Sequence, residues 1–206
     1  MDVHAFSLRS PAFAIFSTAL AQLEHEGLGA FRSRVRLETI DSLGPDRQPA
    51  KLLLENRRIA SGPLEPIELS LLPGADPVQR VFVRFVTPTE IKDSAGDPLA
   101  FPALFARVRD RIANLRAFHG DGPLDVDFRQ LGELAQQVRL VERRIETVAA
   151  ERRSGRTGQR HPLGGFVGSA VYEGDLAVFL PWLRAAYWTG VGRQTVWGKG
   201  VIEIET

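Results

Sequence analysis

Arg139-Leu140-Val141-Glu142-Arg143-Arg144-Ile145-Glu146-Thr147-Val148-Ala149-Ala150-Glu151-Arg152 admits two readings. Its Glu and Arg residues suit a helix continuing from Asp127–Val138, while its Val, Ile and Thr suit a strand. The choice decides the fold of everything after residue 77. Upstream, Arg80–Val86 alternates polar and apolar residues as a half-buried strand does. Phe101–Phe118 carries Leu104, Val108, Ile112 and Leu115 at helical spacing. Downstream come a strand at Gly165–Tyr172, a helix at Leu176–Trp188, a glycine-rich loop at Gly190–Gly200 and a strand at Val201–Glu205. If 139–152 is a strand, the order is β-α-β-β-α-β, the ferredoxin-like arrangement.

The first 76 residues read as a fragment of a similar unit. A helix runs from the start signal Ser10-Pro11 through Phe13, Phe16, Leu20 and Leu23 to Gly27. Gly27-Leu28-Gly29 and an alternating segment, Phe31–Ile40, follow. Short strands are expected at Lys51–Glu55 and Ile67–Leu72, among turns at Gly44-Pro45, Gly62-Pro63 and Pro73-Gly74. Helix, Gly-x-Gly and strand mirror the end of the chain. The expected class is α+β: part of one ferredoxin-like unit with its linker in 1–76, and a whole ferredoxin-like domain in 77–206. On this reading Met1 need not be the native start.

The 206 residues carry 26 basic and 25 acidic side chains, for a net charge of +1. Of the cations, 23 are Arg and only 3 are Lys. Most of that Arg is the scatter a GC-rich genome produces. With no cysteine, the chain has no disulfides, no Cys-based zinc or iron–sulfur site and no thiol nucleophile. No apolar run is long enough to span a membrane. Met1–Gln22 imitates a secretory signal at Ala19-Leu20-Ala21, but Asp2 and the Ser17-Thr18 interruption favour the helix, and so a cytoplasmic protein.

One cluster departs from the scatter. Residues 152–161 hold four Arg (Arg152, Arg153, Arg156 and Arg160) and no acid. Between two strands they would form a hairpin tip suited to a phosphate backbone. Beyond them, Gly190, Gly192, Arg193, Gly198 and Lys199 lie in a loop with neither the P-loop's Gly-Lys-Ser/Thr nor a Rossmann order of strand, loop and helix. What it offers is backbone N–H groups and two cations that could follow a sugar–phosphate chain. Trp197 suits either base stacking or the core. No pair of histidines has metal-ligand spacing, and no metal or cofactor is expected. His25 and His119 fit helix C-termini, whereas His161, beside the basic tip, is the candidate acid or base.

Val83-Arg84-Phe85-Val86-Thr87-Pro88-Thr89, Arg153-Ser154-Gly155-Arg156, Gly164-Gly165-Phe166-Val167-Gly168 and Gly190-Val191-Gly192-Arg193-Gln194-Thr195 to Gly198-Lys199-Gly200 occur in that order. Together they resemble the C-terminal domain of the CRISPR-associated endoribonucleases that process precursor CRISPR RNA, members of the RAMP superfamily. The resemblance is strongest from Arg80 to Glu205 and reaches more weakly to Phe13–Ile40. It implies two ferredoxin-like domains, binding of repeat RNA and metal-independent cleavage by a 2′-hydroxyl. In many relatives a His of the first domain assists, and no position here matches it. The resemblance also implies partners: CRISPR repeat RNA, other CRISPR-associated subunits or a second copy. Two further readings stay open: a non-catalytic RNA-binding subunit of a CRISPR effector complex, and a ferredoxin-like protein-interaction module.

Overall fold

The computed structural model describes residues 2–6, 12–29, 31–56, 58–59, 66–92, 96–120, 122–153 and 157–206. The helix start at Ser10-Pro11, the Gly62-Pro63 turn and Arg156 lie outside the described residues. The chain forms two compact units, Val3–Leu69 and Ser70–Thr206.

The first unit holds helix α1 (Ala12–Glu26) and an antiparallel meander of β1 (Thr39–Leu43), β2 (Pro49–Glu55) and β3 (Arg58–Ile59). Helix α1 ends as its sequence indicates, with the Gly27 amide donating to the Leu23 carbonyl at 2.8 Å. Two expectations fail. The alternation at 31–40 becomes strand only from Thr39. Ahead of it, the Leu37 amide donates to Glu24 at 2.6 Å, where a strand would seek a backbone partner. Residues 67–72 form no strand, and the Leu72 amide turns back to the Ser70 hydroxyl at 3.2 Å.

The second unit contains β4 (Arg80–Thr89), α2 (Phe101–His119), α3 (Phe128–Ala135), β5 (Arg139–Val148), β6 (Glu151–Arg153), β7 (Arg160–Pro162), β8 (Gly165–Glu173), α4 (Leu180–Thr189) and β9 (Ile202–Glu205). The ambiguous stretch is therefore strand. Its sheet runs β5-β8-β4-β9 with every neighbour antiparallel. That order, with α2 and α4 as the crossovers, is the ferredoxin-like topology. The helix expected at Asp127–Val138 is shorter. Asp127 caps it by accepting from the amides of Arg129 and Gln130 at 3.0 and 2.9 Å.

Alternation on β4 sends Val81, Val83 and Phe85 into the core with Ala170, Tyr172 and Ile202. Against them pack Leu104, Phe105, Val108 and Ile112 of α2, and Leu180, Trp182, Leu183 and Ala186 of α4. Phe105 meets Phe179 edge to face at 4.7 Å, and Phe101 meets Tyr172 at 5.2 Å. The Tyr172 hydroxyl donates to the Leu99 carbonyl at 2.8 Å. Burial, aided by the charge of Asp97, pushes that hydroxyl's pKa above its usual range. Tyr172→Phe strands the Leu99 carbonyl, so a loss of about 1–2 kcal/mol is expected. A urea midpoint that falls at constant slope would show it, and an unchanged midpoint would refute it.

Candidate nucleic-acid interface

Two segments of the second unit meet. The β5–β8 hairpin continues into a separate ribbon in which Glu151 faces Pro162, Arg152 faces His161 and Arg153 faces Arg160. A 2.7 Å hydrogen bond from the Leu163 amide to the Ala150 carbonyl closes its base. The second segment is the glycine-rich loop between α4 and β9. The His161 ring lies 5.6 Å from the Trp197 ring, inclined at 68°. The basic ribbon and the glycine-rich loop thus form one locality, which sequence spacing alone did not reveal.

The end of β4 acts as a rail for the loop. Its Thr87-Pro88-Thr89 sits where the register with β8 shifts, between Phe85 and Thr89, so Pro88's missing N–H costs no ladder bond. The Arg193 amide donates to the Glu90 carbonyl at 3.0 Å, and the Gly200 amide to the Pro88 carbonyl at 3.1 Å. The Val201 amide donates to the Thr87 hydroxyl, also at 3.0 Å. The loop closes on itself through the Val191 amide and the Gly200 carbonyl, 2.9 Å apart.

This docking turns several predicted RNA contacts inward. A Cβ on Gly192 would collide with the Glu90 carbonyl oxygen, and one on Gly200 with the Val191 carbonyl oxygen; both have positive φ. Gly190 caps α4 and faces the Thr195 side chain. Of the four predicted loop contacts on Gly and Lys, only Gly198 has open space beside it. Lys199 is 4% exposed. Its ammonium donates to Glu90 Oε2 at 3.0 Å, the Gly164 carbonyl at 2.7 Å and Gln194 Oε1 at 3.0 Å. Those three bonds use all its protons.

The cations are also less free than their sequence suggests. Arg193 Nη1 pairs with Glu90 Oε1 at 2.9 Å, so Glu90 bridges two cations with its two oxygens. Burial pushes the Glu90 carboxyl's pKa up. The hydrogen bond and charge of Lys199, with those of Arg193, outweigh it, and the carboxyl ends below its ordinary range. Arg160 pairs with Glu151 at 3.3 Å, one residue outside the acid-free window. Both pairs leave the Arg half or more exposed, where an ion pair is worth little. Arg152 and Arg153 are placed by their backbone on the ribbon. Sequence reading counted cations and missed Glu90; its only local signal was an acid directly after Thr87-Pro88-Thr89. Among the described residues, no group of three His, Asp or Glu could hold a metal ion. Nor is any helix among them long and apolar enough to cross a membrane.

A family model for the CRISPR-associated endoribonuclease Cas6 matches residues 83–202, more than half of the chain. The chain belongs to the Cas6 family. The matched span runs from β4 into β9, and so takes in the rail, the ribbon and the loop. Among solved structures, a Cas6 product complex is 26% identical, with a TM-score of 0.45, over 66% of this chain and 55% of that one. A Thermus thermophilus Cas6 is 22% identical, with a TM-score of 0.46, over 64% and 55%. A partial Cas6-RT-Cas1–Cas2 complex is 15% identical, with a TM-score of 0.45, over 64% and 23%. The match thus spans little more than half the length of those two Cas6 structures. No curated protein sequence matches the chain.

Proposed function

We propose that the unit Ser70–Thr206 binds CRISPR repeat RNA across the ribbon and the glycine-rich loop. The observation that carries this is the His161–Trp197 contact, which joins the two RNA-suited segments of a Cas6-family domain. Arg152, Arg153 and Arg160 hold phosphates from the ribbon, and Arg156, outside the described residues, is assigned the same role from the sequence. Arg193 and the open backbone at Gly198 hold the chain at the loop. Gly190, Gly192 and Lys199 act through shape, by fixing the loop against β4.

Cleavage, on this reading, needs no metal. The 2′-oxygen attacks the adjacent phosphorus, the bond from phosphorus to the 5′-oxygen breaks, and a 2′,3′-cyclic phosphate and a 5′-hydroxyl result. A base takes the 2′ proton, an acid gives one to the leaving oxygen, and guanidinium groups stabilise the phosphorane. His161 is the proposed acid or base. Other CRISPR-associated subunits or a second copy are proposed partners, and the cytoplasm the proposed location.

Labelled repeat RNA incubated with the protein in EDTA is expected to yield a 5′-hydroxyl fragment. His161→Ala should abolish the fragment and keep the RNA bound. Retention should fall steeply with salt, and Arg152→Glu with Arg153→Glu should flatten that slope by about two. A second reading has its own observation: His161's ring is engaged by Trp197, as a binding residue's would be. A non-catalytic RNA-binding subunit would retain RNA without cutting it. Neither retention nor cleavage at low salt would leave only a protein-interaction module.

A further inference from the structure

Trp197 is 42% exposed and its neighbour Val196 78%. Trp182, by contrast, is buried in the core. Leaving an indole in water forfeits the burial that usually places Trp inside. Here the exposure is built in. Gln194 and Gly198, both left-handed with φ of 60° and 83°, bracket a single 3₁₀ turn, Thr195–Trp197. The Trp197 amide donates to the Gln194 carbonyl at 2.9 Å and the Gly198 amide to the Thr195 carbonyl at 3.0 Å. Lys199 anchors Gln194 from below at 3.0 Å. The His161 edge-to-face contact braces the ring from the ribbon side. The indole is therefore presented at a fixed point, so little conformational freedom is lost when something stacks on it.

The surroundings select the ligand. Arg160 precedes His161 on the ribbon, Arg152 lies opposite it, and Arg193 precedes Trp197 by four residues. A half-exposed indole whose neighbours along the loop and the ribbon backbone include arginines suits a nucleobase with phosphates on either side. An apolar protein partner would instead need a contiguous apolar patch. We infer that Trp197 is the stacking platform for one unpaired base of the bound RNA, so that this site takes single-stranded RNA, such as a flank or a loop, in preference to duplex. The inference rests on the RNA-binding function proposed above and adds to it a base-contacting subsite.

The test compares a short single-stranded RNA with a duplex of the same length at one salt concentration. Trp197→Ala is expected to weaken single-strand binding by about tenfold or more. Duplex binding should change by less than about twofold, because a paired base does not leave its stack for the platform. Trp197→Tyr should restore most of the loss. The salt slope should stay at the wild-type value, since no phosphate contact is removed. An abasic nucleotide walked along the single strand should find one position costly to the wild type and costless to Trp197→Ala. Equal losses on single strand and duplex, no rescue by Tyr, or unaltered single-strand affinity in Trp197→Ala would each overturn the inference and leave RNA binding intact. Failure of the wild type to hold either RNA would overturn both.

Discussion

Gly200→Ala is expected to destabilise the second unit by about 2–5 kcal/mol and to release the glycine-rich loop from β4. Gly200 has φ of +73°, which strains any L side chain. The added methyl group would also occupy the place of the Val191 carbonyl oxygen. Backbone cannot step aside as a side chain can. Val191 is itself bonded to Gly200 through its amide and is fully buried. The loss is capped by the free energy that holds the loop shut, because local opening relieves both terms. Gly198→Ala is the control. Its φ is +83°, but nothing lies within 4 Å of its added Cβ. It should cost about 1 kcal/mol, the strain alone. Amide exchange at Val191 reads the difference: fast in Gly200→Ala, slow in Gly198→Ala. Wild-type protection at Val191 in Gly200→Ala would show that the loop is not held this way.

Lys199→Met is expected to cost about 2–4 kcal/mol at neutral pH. The methionine fills much of the same volume but supplies none of the three hydrogen bonds. The Gly164 carbonyl, just before β8, loses its partner, and Gln194 loses its anchor. Glu90 keeps Arg193 and is 35% exposed, which holds the penalty below that of a fully buried broken pair. The effect carries a pH signature. Glu90's carboxyl titrates below its ordinary value in the folded protein. Its ionic contribution is therefore complete above the unfolded-state pKa and disappears as pH falls through the folded-state value. The stability gap between wild type and Lys199→Met should be widest near neutrality and narrow in acid. A gap that stays constant from neutral to acid pH would mean that the Glu90–Lys199 pair contributes nothing. Since Lys199 braces Gln194 beneath the Trp197 turn, the variant should also weaken RNA retention, although no Lys199 proton is available to the RNA.

Much of the second unit was legible because its elements are encoded locally. Arg80–Val86 alternates, α2 repeats at three and four residues, and Gly190 ends α4 where the periodicity ends. Arg139–Arg152 was not legible, and the reason is its position. Among the described residues the strand β5 is at the edge of the sheet, with one neighbour, and most of its residues are exposed. An edge strand carries charge, which guards it against pairing with other chains, and charge erases the period-two signature. Between Leu140 and Glu142 the register also shifts, inserting Val141 and breaking the alternation. The error at 31–38 is the converse: an alternating pattern that meets no continuous strand partner among the described residues. Alternation permits a strand, but a partner with free backbone groups is needed to make one.

The candidate site divides in the same way. The identity of its parts was written in the sequence: an Arg-rich ribbon tip, a loop of glycines and a histidine beside the tip. Composition and order suffice for that, because residue type and local turn chemistry are properties of short segments. Which cation faces outward was not written there. Lys199 and Arg193 look alike as charges in a flexible loop. Glu90, 109 residues before Lys199 and 103 before Arg193, holds one buried and the other half-exposed. The meeting of His161 with Trp197 likewise depends on the sheet order that brings the β8 side of the hairpin to the loop beside β4. Long-range pairing fixes such distances, and no local pattern carries them. The sequence alone determined a ferredoxin-like unit with RNA-suited segments; only the tertiary structure decided which side chains brace those segments and which remain to meet a ligand.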